Sequence, residues 1–137
     1  ISLNNLGYAN FGAGQYEEAE ARLLEAIELG DRVCGPGHLR VASAKINLAE
    51  VYAATSRLAE AEHLATQALS LFDEALGARS WRSGAAHGVL ATILYRSGRT
   101  GPAREESTLS FEILSEALGE DHPRSRRALE QLDEHQP

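Results

Sequence analysis

Residues 14–38 read GQYEEAEARLLEAIELGDRVCGPGH, one whole helix with a stop at each end. Gly14 stands where a preceding helix would want a left-handed C-terminal cap. Glu17, Glu18 and Glu20 crowd the next N-terminal turn, where carboxylates complement the helix dipole. Ala19, Leu23, Ala26, Ile27, Gly30 and Val33 follow at spacings of three and four, the stripe of an amphipathic helix. Gly35-Pro36-Gly37-His38 then stops it. The pattern predicts a helix from about Tyr16 to Cys34. Upstream, Leu3, Leu6 and Tyr8 predict a shorter helix from about Ile1 to Ala13, so the unit is a helical hairpin.

The hairpin recurs. Leu6, Leu48, Leu90 and Leu132 are each 42 residues apart. Ala19, Ala61 and Ala103 keep the same step, as do Gly35, Gly77 and Gly119, and Leu29, Leu71 and Ile113. His38 and His122 lie two steps apart. A fixed period of this size marks stacked helical units, because one hairpin cannot bury its own apolar stripe and neighbours can. The boundaries follow: repeats at about 1–42, 43–84 and 85–124, then a half-repeat at 125–137 that is expected to have no partner helix in this chain. The small Ala19, Ala61 and Ala103 are expected where paired helices approach closely. Pro102 falls in the first turn of the third unit's second helix, where its missing N–H is harmless.

Composition narrows the function. Hydrophobic residues are 43% and charged residues 24%, which suits a folded domain and excludes a disordered chain. The net charge of −7 argues against gripping a phosphate backbone, so no nucleic-acid partner is expected. No stretch is long and apolar enough to span a membrane, and no signal peptide is visible. One cysteine excludes an internal disulfide and leans towards the cytoplasm. Lys45 is the only lysine among 13 basic residues, a bias that points to a GC-rich bacterial genome. The chain starts inside a helical pattern, as expected of a segment of a larger protein.

The strings Leu3-Asn4-Asn5-Leu6 and Gly14-Gln15-Tyr16-Glu17-Glu18-Ala19-Glu20 resemble the kinesin-light-chain type of tetratricopeptide repeat (TPR). Gly119-Glu120-Asp121-His122-Pro123 is similar to that family's inter-repeat loop. The resemblance implies an all-α, right-handed α-solenoid of about three hairpins with a C-terminal capping helix. It also implies a concave groove, lined by the first helix of each hairpin, that takes an extended peptide held by Asn side chains. Asn5 and Asn47 match those positions, whereas the third unit has Val89 and the half-repeat Gln131.

An amide both donates and accepts, so it can match a bound peptide unit; the other reading is that Asn5 and Asn47 bond a neighbouring helix and lock the stack. Tyr8, Phe11, Glu50, Thr92, Tyr95, Arg96 and Arg127 are expected on the same face. Tyr8 and Tyr95 would offer stacking surfaces, or simply pack in the core. Arg96 and Arg127 would pair with a carboxylate, or lie solvated at a helix end. Basic residues needed to clamp a C-terminal carboxylate are replaced by Ala85 and Val89, which disfavours that specificity. His38 and His122 are too many repeats apart to share a metal ion and read as turn residues. Cys34 shares its register with Leu76 and Leu118 and reads as a small buried hydrophobe. Trp81, flanked by Arg79 and Arg82, is placed in the second inter-repeat loop. It would serve as a contact anchor or fold over the hairpin end.

No nucleophile–base set, metal-ligand cluster or phosphate-cradling loop is legible, so neither catalysis nor a cofactor is expected. The expected function is a scaffold that binds a peptide or partner protein. The alternatives are a structural spacer that self-associates weakly through exposed solenoid ends, or the regulatory repeats of a larger bacterial signalling protein.

Overall fold

The computed structural model describes residues 2–135. Ile1, where the first helix is expected to begin, and Gln136 and Pro137 of the half-repeat lie outside the described residues. Seven helices and no strand appear among those residues: α1 Leu3–Gly12, α2 Tyr16–Val33, α3 Leu39–Ala54, α4 Leu58–Leu76, α5 Trp81–Arg96, α6 Thr100–Leu118 and α7 Pro123–Glu134. They divide into two compact units, residues 1–71 and 72–137.

In the first unit α1 packs on α2, α2 on α3, and α1 on α3. Its interior is Ala-rich: Ala19, Ala42, Ala44, Ala49, Ala61, Ala65 and Ala68 are all fully buried around Leu23, Val41 and Leu48. Small side chains bring the helix axes together. Gly7 extends that logic, because a Cβ there would sit 2.7 Å from Leu23 Cγ. An arginine ties the helices at their ends. The Arg57 guanidinium reaches Glu20 of α2 at 2.7 Å and Glu60 of α4 at 2.8 Å, and lies 3.9 Å over the Tyr52 ring of α3. The Tyr52 hydroxyl donates to Glu20 at 3.2 Å.

In the second unit α5 packs on α6, α6 on α7, and α5 on α7. Ala86, Leu90, Ile93, Ala103, Ile113, Leu114 and Ala128 form its interior. α7 thus packs on α6 and α5, which corrects the expectation that the half-repeat has no partner helix in this chain. Ser83, Ser107, Ser110 and Ser125 are buried with them. Each can hide a hydroxyl only by bonding it. Ser83 donates to Asp73 at 2.7 Å, and Ser125 donates to the Gly119 carbonyl at 2.7 Å.

The loops explain the glycine and histidine repeats. Gly35, Gly77 and Gly119 have φ of 91°, 93° and 90°. Each carbonyl accepts from the backbone N–H three residues on, at His38, Ser80 and His122. Those three residues are N-caps. The Nδ1 atoms of His38 and His122 accept from the N–H groups of Arg40 and Arg124 at 3.1 Å, and Ser80 Oγ accepts from Ser83 at 3.2 Å. The histidines thus satisfy helix donors that would otherwise be orphaned, as the turn reading anticipates.

Three further expectations need correcting. Cys34 is exposed, because it is the C-cap residue beyond the last turn of α2 and no element covers it. Val33, counted in the apolar stripe, is the last residue of α2 and is 73% exposed. Trp81 is not a loop residue but the first residue of α5, capped by Ser80. Its ring lies 4.7 Å from the Arg82 guanidinium and 4.5 Å from that of Arg124, so it clips the N-terminus of α7 to that of α5.

Candidate functional site

The groove candidates fall on α1 and α3 in the first unit and on α5 and α7 in the second. Asn5 is exposed on α1, and Tyr8, a turn later, is 48% exposed. The Tyr8 ring is tilted against Phe11, with centroids 6.2 Å apart, and Phe11 in turn meets Tyr16 at 5.9 Å. Asn47 is half-buried on α3, and its Nδ2 donates to Asn4 Oδ1 at 2.8 Å. Asn47 therefore carries out the helix-locking role in this structure, through a partner that the sequence reading had not singled out. Glu50 is half-buried one turn further along α3.

Gln131 does the same work in the second unit. Its Nε2 donates to the Gly88 carbonyl at 2.9 Å and to Thr92 Oγ1 at 2.7 Å. Thr92 itself donates to the Gly88 carbonyl at 3.3 Å. Asn47 to Asn4 and Gln131 to Gly88 are both steps of 43 residues, so one rule joins neighbouring first helices in each unit. Gly88 fits this seam because a Cβ there would crowd Ser110 Oγ at 3.1 Å and Gln131 Oε1 at 3.4 Å.

Tyr95 is 47% exposed, and His135 stacks on its ring with centroids 4.4 Å apart and planes 21° apart. His135 is the C-cap of α7 and is only 7% exposed. Its Nδ1 lies 2.7 Å from Ser107 Oγ, and its carbonyl accepts from Arg104 Nε at 3.1 Å. Burial holds the imidazole below the ordinary histidine range; the Glu134 charge pulls the other way, and the nearby Arg104 charge adds a smaller push downward. The sequence carries no sign of this cluster, since its members are spread over residues 95–135. Arg96 and Arg127 are exposed on α5 and α7.

His87 also gains a partner that the sequence conceals. Its Nδ1 lies 2.5 Å from Glu106 Oε2, tying α5 to α6. Two acidic groups around Arg57 are shifted in opposite directions. Burial, then the Glu20 charge, raises the Tyr52 phenol, and the hydrogen bond from Arg57 lowers Glu60. Among the described residues no group of three or more His, Cys, Asp or Glu could hold a metal ion, and no helix is long and apolar enough to cross a membrane.

A sequence model described as the tetratricopeptide repeat matches residues 1–74. The chain belongs to the tetratricopeptide repeat family, whose repeats mediate protein–protein interaction on a non-catalytic scaffold. Its fold is that of kinesin-light-chain-like TPR structures. A kinesin-light-chain candidate from Podosopora anserina, with nearly identical TPR-like repeats, aligns at a TM-score of 0.84 and 20% identity, over 97% of this chain and 63% of that one. BtubC (BKLC) from P. vanneervenii aligns at a TM-score of 0.85 and 18% identity, over 97% of this chain and 53% of that one. The chain thus spans less than two thirds of either structure. No curated protein matches it.

Proposed function

We propose that this chain is a peptide- or protein-binding module whose first helices carry the contact residues. Asn5, Tyr8, Asn47 and Glu50 serve in the first unit, and Thr92, Tyr95, Arg96, Arg127 and Gln131 in the second. The observation that carries the reading is Asn5. Its equivalents Asn47 and Gln131 spend their amide donors on a neighbouring helix, whereas the Asn5 side chain is exposed beside the exposed Tyr8 ring. An exposed amide next to an aromatic face suits a peptide backbone and its side chain. On this reading the chain acts by binding, without catalysis or cofactor, in the cytoplasm of a bacterium.

The test begins with a peptide selected on the folded domain. Asn5→Ala with Tyr8→Ala is expected to weaken it at least roughly tenfold by calorimetry, about 1.4 kcal/mol, with the thermal midpoint nearly unchanged. Unchanged affinity would remove the α1 face from the site. Asn47→Ala is expected to lower stability as well, because it strands Asn4.

A second reading, self-association, is favoured by one observation. Leu24, Leu29 and Val33 of α2 are exposed at 46%, 45% and 73%. Sedimentation that shows a monomer at every concentration would dismiss it, whereas a dimer abolished by Val33→Glu would support it.

A further inference from the structure

The first unit has an open surface groove of about 370 Å³ along α4. Pro36 and Leu71 supply its apolar wall, and Lys45, His63, Thr66, Gln67 and Ser70 supply its polar groups. Lys45 is the only lysine of a chain with net charge −7, yet no Asp or Glu is among the lining residues. The Lys45 ammonium, a group with three N–H donors, donates to the Gln67 amide oxygen, a neutral partner, at 3.2 Å. His63, Thr66, Gln67 and Ser70 recur at spacings of three and four on α4, so one helix face presents them together. His63, Thr66 and Ser70 are all exposed, open to a ligand from solvent.

We propose that this pocket binds a phosphate group, free or carried on a phosphorylated peptide side chain. A phosphate has three strong acceptor oxygens and close to two negative charges. The ammonium, two hydroxyls and an imidazole N–H can meet those oxygens, and Gln67 holds the ammonium ready. A carboxylate offers only two oxygens and one charge, and would leave some of these donors without an anion to meet. The site lies on α3 and α4 and does not depend on the peptide-binding face of α1.

The experiment uses the 15N-labelled chain at constant ionic strength, titrated in parallel with inorganic phosphate, with acetate, and with a phosphoserine peptide and its unphosphorylated form. Phosphate is expected to give saturable shifts in the amides of Gln67, Ser70 and Lys45. Lys45→Gln, and separately Ser70→Ala on the exposed face of α4, are expected to weaken binding by at least roughly tenfold and a few-fold respectively, with unchanged thermal midpoints. A phosphopeptide that binds more tightly than inorganic phosphate assigns the source to a modified partner. Equal affinity assigns it to the free anion. The proposal is overturned if the shifts fail to saturate, if acetate matches phosphate, or if Lys45→Gln binds as well as the parent.

Discussion

Ser56 shows how one residue can depart from a repeat and leave a measurable trace. Gly14 and Gly98 turn the chain between paired helices at φ of 76° and 82°, and Ser56 occupies the same place at φ 66°. A side chain in that region is strained, and glycine is not. Ser56→Gly is therefore expected to stabilise the protein by about 0.5–1 kcal/mol, less the extra freedom glycine gives the unfolded chain. A urea midpoint that falls instead would mean that the serine makes a compensating bond. Cys34 supplies a second test at this scale. As an exposed C-cap it is expected to react fully with a maleimide in the native state, whereas a buried thiol would react only on unfolding. The sequence could not separate these cases, because Cys34, Leu76 and Leu118 share one register but not one environment. Leu76 is itself 44% exposed.

At the scale of the element, the close approach of paired helices decides stability. Gly84 of α5 faces Ile113 and Leu114 of α6, and a Cβ there would lie 2.9 Å from Ile113 Cγ2 and 3.1 Å from Leu114 Cγ. Neither side chain can retreat far in a packed interior, so Gly84→Ala is expected to cost about 1–3 kcal/mol despite the better helix propensity of alanine. The Ala19, Ala61 and Ala103 repeat announced this tight packing, and all three are fully buried. Gly7 and Gly84 escaped notice because helix interiors usually disfavour glycine, and only the facing side chain reveals its use.

The end of α7 is governed by His135. Its folded-state pKa is depressed, so docking is fully favoured above the ordinary histidine value of about 6.5. As the pH falls below that value the undocked ring takes up a proton that the docked ring resists, and docking weakens. Hydrogen-exchange protection in α7, taken relative to the intrinsic base-catalysed rate, is expected to fall between neutral pH and mildly acid pH. His135→Phe, which keeps the stack on Tyr95, is expected to remove that dependence. An equal loss of protection in the variant would assign the effect to another histidine.

For the whole molecule, charge is the property that composition alone reaches. With a net charge of −7 and an isoelectric point near 5.2, the chain's net-charge repulsion between copies vanishes near pH 5.2. Light scattering is expected to rise as the pH is lowered towards 5.2 and to fall again below it. The architecture was equally open to reading from the primary structure. A 42-residue step shared by leucines, alanines and glycines is a property of order along the chain, and stacked hairpins are its only economical burial scheme. The same holds for the loop histidines, because an N-cap bonds a donor two residues away and needs no distant partner. Partnerships across helices had to wait for the tertiary structure. Asn47 with Asn4, Gln131 with Gly88, His87 with Glu106 and His135 with Ser107 join residues 19 to 43 apart. Which of two polar side chains meets across such a gap depends on helix rotation by a fraction of a turn. Periodicity sets the face of a helix to within a stripe, and only packing sets it to within a hydrogen bond.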